Sequence, residues 1–166
     1  MAKNDVRIVD VAGLSAVPTR LFPVQDYTNS SSTQILAGEP VRISGAEGGN
    51  YVLKLATGEP AIGTDIFVGI AKSDDTATSS ADGTVEVYLP VPNVIYECAA
   101  TDSDNFAAGI IFDTVTFDLT STTYTIDENE GTDENVHGLR IVSYDSDTGM
   151  VQFQIKTGVT MNGDSL

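Results

Sequence analysis

Short runs in which apolar and polar residues alternate fill most of this chain, and no stretch carries apolar residues at the three- and four-residue spacing of a capped helix. Alternation of this kind fits strands with one face on a core, because successive side chains of a strand point to opposite faces. Val41 and Ile43 alternate with Arg42 and Ser44, and Tyr51, Leu53 and Leu55 with Val52 and Lys54. Val85, Val87 and Leu89 alternate with Thr84, Glu86 and Tyr88, and Val115, Phe117 and Leu119 with Thr116 and Asp118. Ile66 to Ile70 is almost continuously apolar, the pattern of a strand covered on both faces. Val94 to Cys98, Leu139 to Tyr144, and Val151, Phe153 and Ile155 complete the series. Tyr124 and Ile126 have the opposite parity to residues 115–119, so a turn or bulge falls between Leu119 and Tyr124. The spacing predicts an all-β protein of about eight or nine strands, either a compact β-barrel or β-tulip-like body or a sandwich.

Turn chemistry punctuates the runs. Asp82-Gly83 precedes the Thr84 strand, and Asp145 to Gly149 separates the last two strands; both read as hairpin turns. Asp102 or Ser103 can cap a helix of one or two turns near residues 102–108. Gly-Glu-Pro occurs at 38–40 and again at 58–60, which reads as a reused turn. Residues 1–34 look different. Lys3, Arg7 and Arg20 balance Asp5, Asp10 and Asp26, and scattered apolar residues are interrupted by Pro18 and Pro23. This segment reads as an extended N-terminal arm and loop ahead of a single β-rich domain at 35–166, in which 101–166 is an added lobe or an extension of the same body. Deleting residues 1–30 is then expected to leave a folded body.

Acids outnumber bases 24 to 8 and the net charge is −16, which argues against nucleic acid and against anionic membrane surfaces as partners. From residue 101 onward twelve acids face only Arg140 and Lys156 as bases. The start has no apolar leader, and the longest apolar run, Phe106 to Phe112, is too short to span a bilayer. The expectation is a soluble protein synthesised in a cytoplasm. Cys98 is the only cysteine and reads as a small buried hydrophobe.

Reactive constellations are sparse. His137 is the only histidine, and no Gly-x-Ser-x-Gly, Gly-x-x-x-x-Gly-Lys or Gly-x-Gly-x-x-Gly occurs. The expectation is a protein that is not an enzyme and uses no cofactor. Cys and His are too few for a zinc set. Calcium has weak candidates in Asp127, which opens an acidic stretch to Asn135, and in Asp145 and Asp147, but neither place fits an EF-hand loop. The chain has no Trp to serve as a sugar-stacking platform.

Three stretches carry a resemblance: Ala37-Gly-Glu-Pro-Val-Arg-Ile, Asp65-Ile-Phe-Val-Gly-Ile-Ala71 and Ala81-Asp-Gly-Thr-Val-Glu-Val-Tyr-Leu-Pro90. Over roughly residues 35–98 the chain resembles the small decoration proteins of tailed-phage heads, also called cement or head-stabilising proteins. The resemblance implies a compact β-body on the outer capsid surface of the virion, with the major capsid protein as partner and a homotrimer as the common assembly. It implies that an N-terminal arm lies along the shell. Arg7, Arg20 and Arg42 are then candidates for pairing with capsid carboxylates, and Val9, Val11, Leu14 and Phe22 for apolar contact. Two alternatives stay open: another phage structural β-protein, such as a head-fibre base or tail component, and a glycan-binding adhesin module.

Overall fold

The structure, a computed structural model, describes residues 6–11, 13–27, 34–43, 51–55, 67–91, 93–105, 108–120, 122–127 and 138–156. Among the described residues eleven strands run in chain order: β1 (Arg7–Asp10), β2 (Thr19–Val24), β3 (Pro40–Ile43), β4 (Val52–Lys54), β5 (Phe67–Ala71), β6 (Gly83–Tyr88), β7 (Ile95–Ala99), β8 (Thr114–Thr120), β9 (Thr123–Asp127), β10 (Leu139–Asp145) and β11 (Met150–Ile155). Each of the alternating runs is one of β3 to β11. The two short 3₁₀ turns, Ser103–Asn105 and Ala108–Ile110, fall where a one- or two-turn helix was expected. The Asp102 carboxylate accepts the Asp104 N–H at 3.0 Å, as a cap does.

The strands form two antiparallel sheets. One has six strands in the order β1-β7-β11-β10-β8-β9, the other five in the order β2-β6-β5-β3-β4. The body is sandwich-like, and of the two expected shapes the closed barrel is not the one found. The six-stranded sheet does curl: Thr101 N donates to Ile126 O at 2.8 Å, so β9 meets the end of β7 at a single bridge.

Each sheet has its own core. The inward face of the six-stranded sheet contributes Tyr96, Cys98, Val115, Phe117, Tyr124, Ile126, Leu139, Ile141, Val151, Phe153 and Ile155. Leu55, Phe67 and Ile70 reach this core from the other sheet and join the two layers. The second core lies on the other face of the five-stranded sheet and holds Phe22, Val24, Ile35, Val41, Val52, Val68, Ala71, Ala77, Val85 and Val87. β5 therefore has two buried faces, and all five of its residues are buried. Its pairing with β3 jumps from Val41↔Gly69 to Arg42↔Phe67, and that bulge puts Phe67 and Ile70 on one face and Val68 and Ala71 on the other.

The N-terminal segment corrects the arm expectation. β1 pairs with β7 and β2 with β6, so the described part of residues 1–34 supplies an edge strand to each sheet. Val6, Val17, Phe22 and Val24 from this segment are buried. Removing residues 1–30 would strip both cores. The physical reason is that neither core closes without its edge strand: an apolar-dotted segment is better buried in its own chain than held in water. Of the strands after residue 100, β11 pairs with β7, and β10, β8 and β9 follow in turn, so they extend the sheet that holds β1.

The turns hold in one case and shift in the other. Asp145 to Gly149 is a hairpin turn, with Gly149 at φ 68° and its N–H donating to Asp145 O at 2.8 Å. The β5–β6 connection instead turns at Ser79-Ser80, where Thr78 N donates to Ala81 O at 2.9 Å. Gly83 is needed there for room: a Cβ on it would lie 2.1 Å from the Ala77 backbone nitrogen. β8 and β9 form a tight hairpin with Thr120 opposite Thr123, the turn expected between Leu119 and Tyr124. The second Gly-Glu-Pro, at 58–60, lies outside the described residues.

Candidate interaction surface

The seven residues singled out for partner contact divide sharply. Arg7 stands on β1, where its Nε donates to Glu97 Oε1 at 2.8 Å and its Nη2 bonds the same oxygen. The arginine side chain is 58% exposed while that of Glu97 is 10% exposed, so the ion pair sits at the surface with its acid partly sunk. Val9 lies at the register break of β1 and is exposed. Val11 is half-buried and packs on the larger core, and Leu14 is exposed in the following turn, its N–H donating to Val11 O at 3.0 Å. Arg20 is exposed, its guanidinium 5.3 Å from the ring of Phe22. Phe22 itself is a correction: it is buried in the smaller core and has no free face to offer. Arg42 is half-buried on β3, in register with Leu53 of β4 and Phe67 of β5.

β2 is a managed edge. Leu89 N donates to Pro18 O at 2.9 Å, which fixes which backbone groups of β2 face β6. By that parity Thr19, Leu21 and Pro23 turn their backbone to the open edge, and Pro23 has no N–H to leave unpaired there. Leu21 is 65% exposed, the highest value among large apolar residues of the described part. Beside it Glu86 accepts from Thr19 Oγ1 at 2.7 Å and from Lys72 Nζ at 2.9 Å. These hydrogen bonds hold the Glu86 carboxyl below its ordinary value, and the bond to Glu86 raises the Lys72 ammonium above its own.

On the outer face of the six-stranded sheet Arg7, Glu97, Gln152, Ser143, Asp145 and Thr148 line an open groove of about 280 Å³. Gln152 Nε2 donates to Glu97 Oε2 at 3.2 Å. The fold thus brings together Arg7 and Asp145, which nothing in the sequence connects. The groove holds a satisfied ion pair with amide and hydroxyl groups, beside Tyr144 and Met150, the equipment of a mixed polar and apolar contact.

The calcium candidates do not converge. Asp145 accepts the Asp147 N–H at 2.9 Å and the Thr148 N–H at 3.3 Å, so its carboxylate caps its own turn, and its hydrogen bonds with Thr148 and Asp147 hold it below the ordinary carboxyl range. Asp147 is exposed on the same turn, and Asp127 ends β9. Among the described residues no group of three or more His, Cys, Asp and Glu could hold a metal ion. His137 and the acidic stretch after Asp127 lie outside the described residues. Cys98 is fully buried and its thiol donates to Tyr124 O at 3.3 Å, as its apolar neighbours suggested.

One feature was missed in the sequence. Phe112 has φ 76°, in the left-handed region that aromatic residues seldom enter, and the residue is 63% exposed. Phe112 N donates to Ile141 O at 2.9 Å, Asp113 N to Ile110 O at 3.0 Å and Ile141 N to Asp113 O at 3.0 Å, so the turn is pinned to β10. The guanidinium of Arg140 lies 5.0 Å from the ring centroid. Such a backbone costs about 1–3 kcal/mol, which the fold spends on displaying an aromatic side chain. The only sequence signal was the apolar run ending at Phe112, which speaks of burial and not display.

The chain has no significant match among protein-family models, curated proteins or solved structures.

Proposed function

We propose that this protein is a virion structural protein that binds the outside of a mature phage capsid lattice, through its N-terminal edge strands, and stabilises it by bridging major capsid protein subunits. The observation that carries the reading is where large apolar side chains stay in water. Among the described residues six do so, and four of them, Val9, Leu14, Leu21 and Leu36, belong to the first 36 residues. A fold with two well-filled cores has no internal reason to leave them out, and exposed apolar groups in a charge-balanced segment suit a protein–protein contact. Arg7 and Arg20 sit in the same segment as exposed cations for partner carboxylates. The acidic remainder suits an outward surface that repels other particles. Binding that favours the expanded lattice over its precursor would stabilise the mature shell by mass action, with no covalent step.

The test is a charge placed on the open edge. Leu21→Glu should leave the melting temperature within a degree or two of wild type and lower affinity for expanded heads at least tenfold. Wild-type binding by a folded Leu21→Glu protein would remove β2 from the contact.

A further inference from the structure

We propose that the Phe112 tip, with Ile111 beside it and Arg140 stacked on its ring, is a second protein-docking point, seated in an apolar pocket with a carboxylate on its rim on a lattice subunit other than the one held by the N-terminal strands. This rests on the lattice-binding reading and supplies what that reading lacks. A protomer that itself bridges subunits must hold two of them, whereas one contact patch per protomer bridges only through an oligomer. The exposed large apolar side chains of the described residues fall into two groups along the chain, Val9 to Leu36 and Ile111–Phe112. In the six-stranded sheet β1 and β10 are separated by β7 and β11, a distance of about 14 Å across the strands. Two patches on one rigid body convert the second binding event into an intramolecular one.

The tip has the marks of an anchor. Its backbone stands in a conformation that glycine or asparagine would adopt more easily, yet the residue is phenylalanine and the ring is turned outward. Aromatic and arginine side chains dominate binding hot spots. Among the described residues Arg140 is within ion-pair distance of no carboxylate, and its planar edge stays available while its face covers Phe112. It is one of only two bases after residue 100, against twelve acids. A cation on an apolar tip in acidic surroundings fits a partner that offers an apolar pocket and a carboxylate. A sugar is disfavoured because Phe112 and Ile111 bring no hydroxyl or amide to its polar edges.

Phe112→Gly separates anchor from structural support, because it relieves the backbone while deleting the ring. The purified full-length variants Phe112→Gly and Arg140→Glu are compared with wild type for melting temperature, for sedimentation with expanded phage heads, and for sedimentation velocity alone. The expected result is a Phe112→Gly protein that melts at or above wild type yet binds heads at least tenfold more weakly, with Arg140→Glu weakened in the same direction and Arg140→Lys partly restored. Wild-type affinity in Phe112→Gly would overturn the second contact and leave the N-terminal contact standing, and so would a lower melting temperature without a binding loss. Self-association of the wild type that Phe112→Gly abolishes would assign the tip to a second copy and overturn the proposal. Retention of wild type, but not Phe112→Gly, on chitin or amylose resin would assign it to a sugar, with the same consequence. Failure of the wild type to bind heads at all would remove the lattice-binding reading and this one with it.

Discussion

The two cores are built from different materials. In the six-stranded sheet aromatic rings lean on one another: Tyr96 stacks on Phe153 at 5.9 Å, and Phe117 meets Phe153 at 5.6 Å, Tyr124 at 6.4 Å and Phe67 at 6.3 Å. The buried residues of the smaller core include one ring, Phe22, among Val, Ile and Ala. Its buried carboxylates hold loop backbone, whereas the buried Glu97 of the six-stranded sheet bonds the side chains of Arg7 and Gln152. Asp75 is 7% exposed and accepts the Ala77 N–H at 2.9 Å, the Ile35 N–H and the Tyr27 hydroxyl. Burial and the bond to Asp75 both push the Tyr27 phenol up. Glu39 accepts the Leu36 N–H at 2.8 Å and lies 3.7 Å from Lys54 Nζ. One region is held by shape, the other by polar staples around a core of small side chains.

Three changes test that contrast, the largest effect first. Phe117→Ala removes the ring common to three aromatic contacts and should cost about 3–5 kcal/mol in urea unfolding; a loss below about 1 kcal/mol would mean the ring cluster contributes little. Asp75→Ala should cost roughly 2–3 kcal/mol by leaving backbone donors unpaired. Its signature in hydrogen exchange is faster exchange at Ile35 and Ala77, with the β10 and β11 amides unchanged. Equal acceleration in both sheets would show that the staple is not local to one. The smallest effect is at Asp145. Its carboxyl is depressed in the folded state, so the turn's contribution is present above the ordinary value of 3.8 and is lost as pH falls through the lower folded value. Carboxyl NMR should place its midpoint below 3.8; a midpoint at or above that would dissolve the Asx-turn account.

How much the sequence revealed follows the same physics. Strands with one clean buried face, such as β9 and β11, announce themselves by alternation, and β5 by its unbroken apolar run. β1 and β2 do not, because edge strands bury little: three of four residues in β1 and four of six in β2 are exposed, and a bulge at Val9 and a proline at 23 break what alternation remains. The same segment therefore reads as an arm while serving as two strands. Of the candidate surface residues Arg7, Val9, Leu14 and Arg20 are exposed, Val11 and Arg42 half-buried and Phe22 buried, a division the sequence does not carry, since burial on β2 and β3 is decided by distant chain. Phe112 carries no sequence mark, because a left-handed aromatic is a property of the turn that pins it to Ile141. Asp75 is one acid among 24 until the fold aims three donors at it.

The most direct test of the central claim is co-sedimentation of the wild-type protein with undecorated expanded phage heads, beside unexpanded proheads. Saturable binding to expanded heads alone, at a fixed number of copies per lattice site, is the predicted result. Equal binding to both forms, or binding to neither, would contradict it.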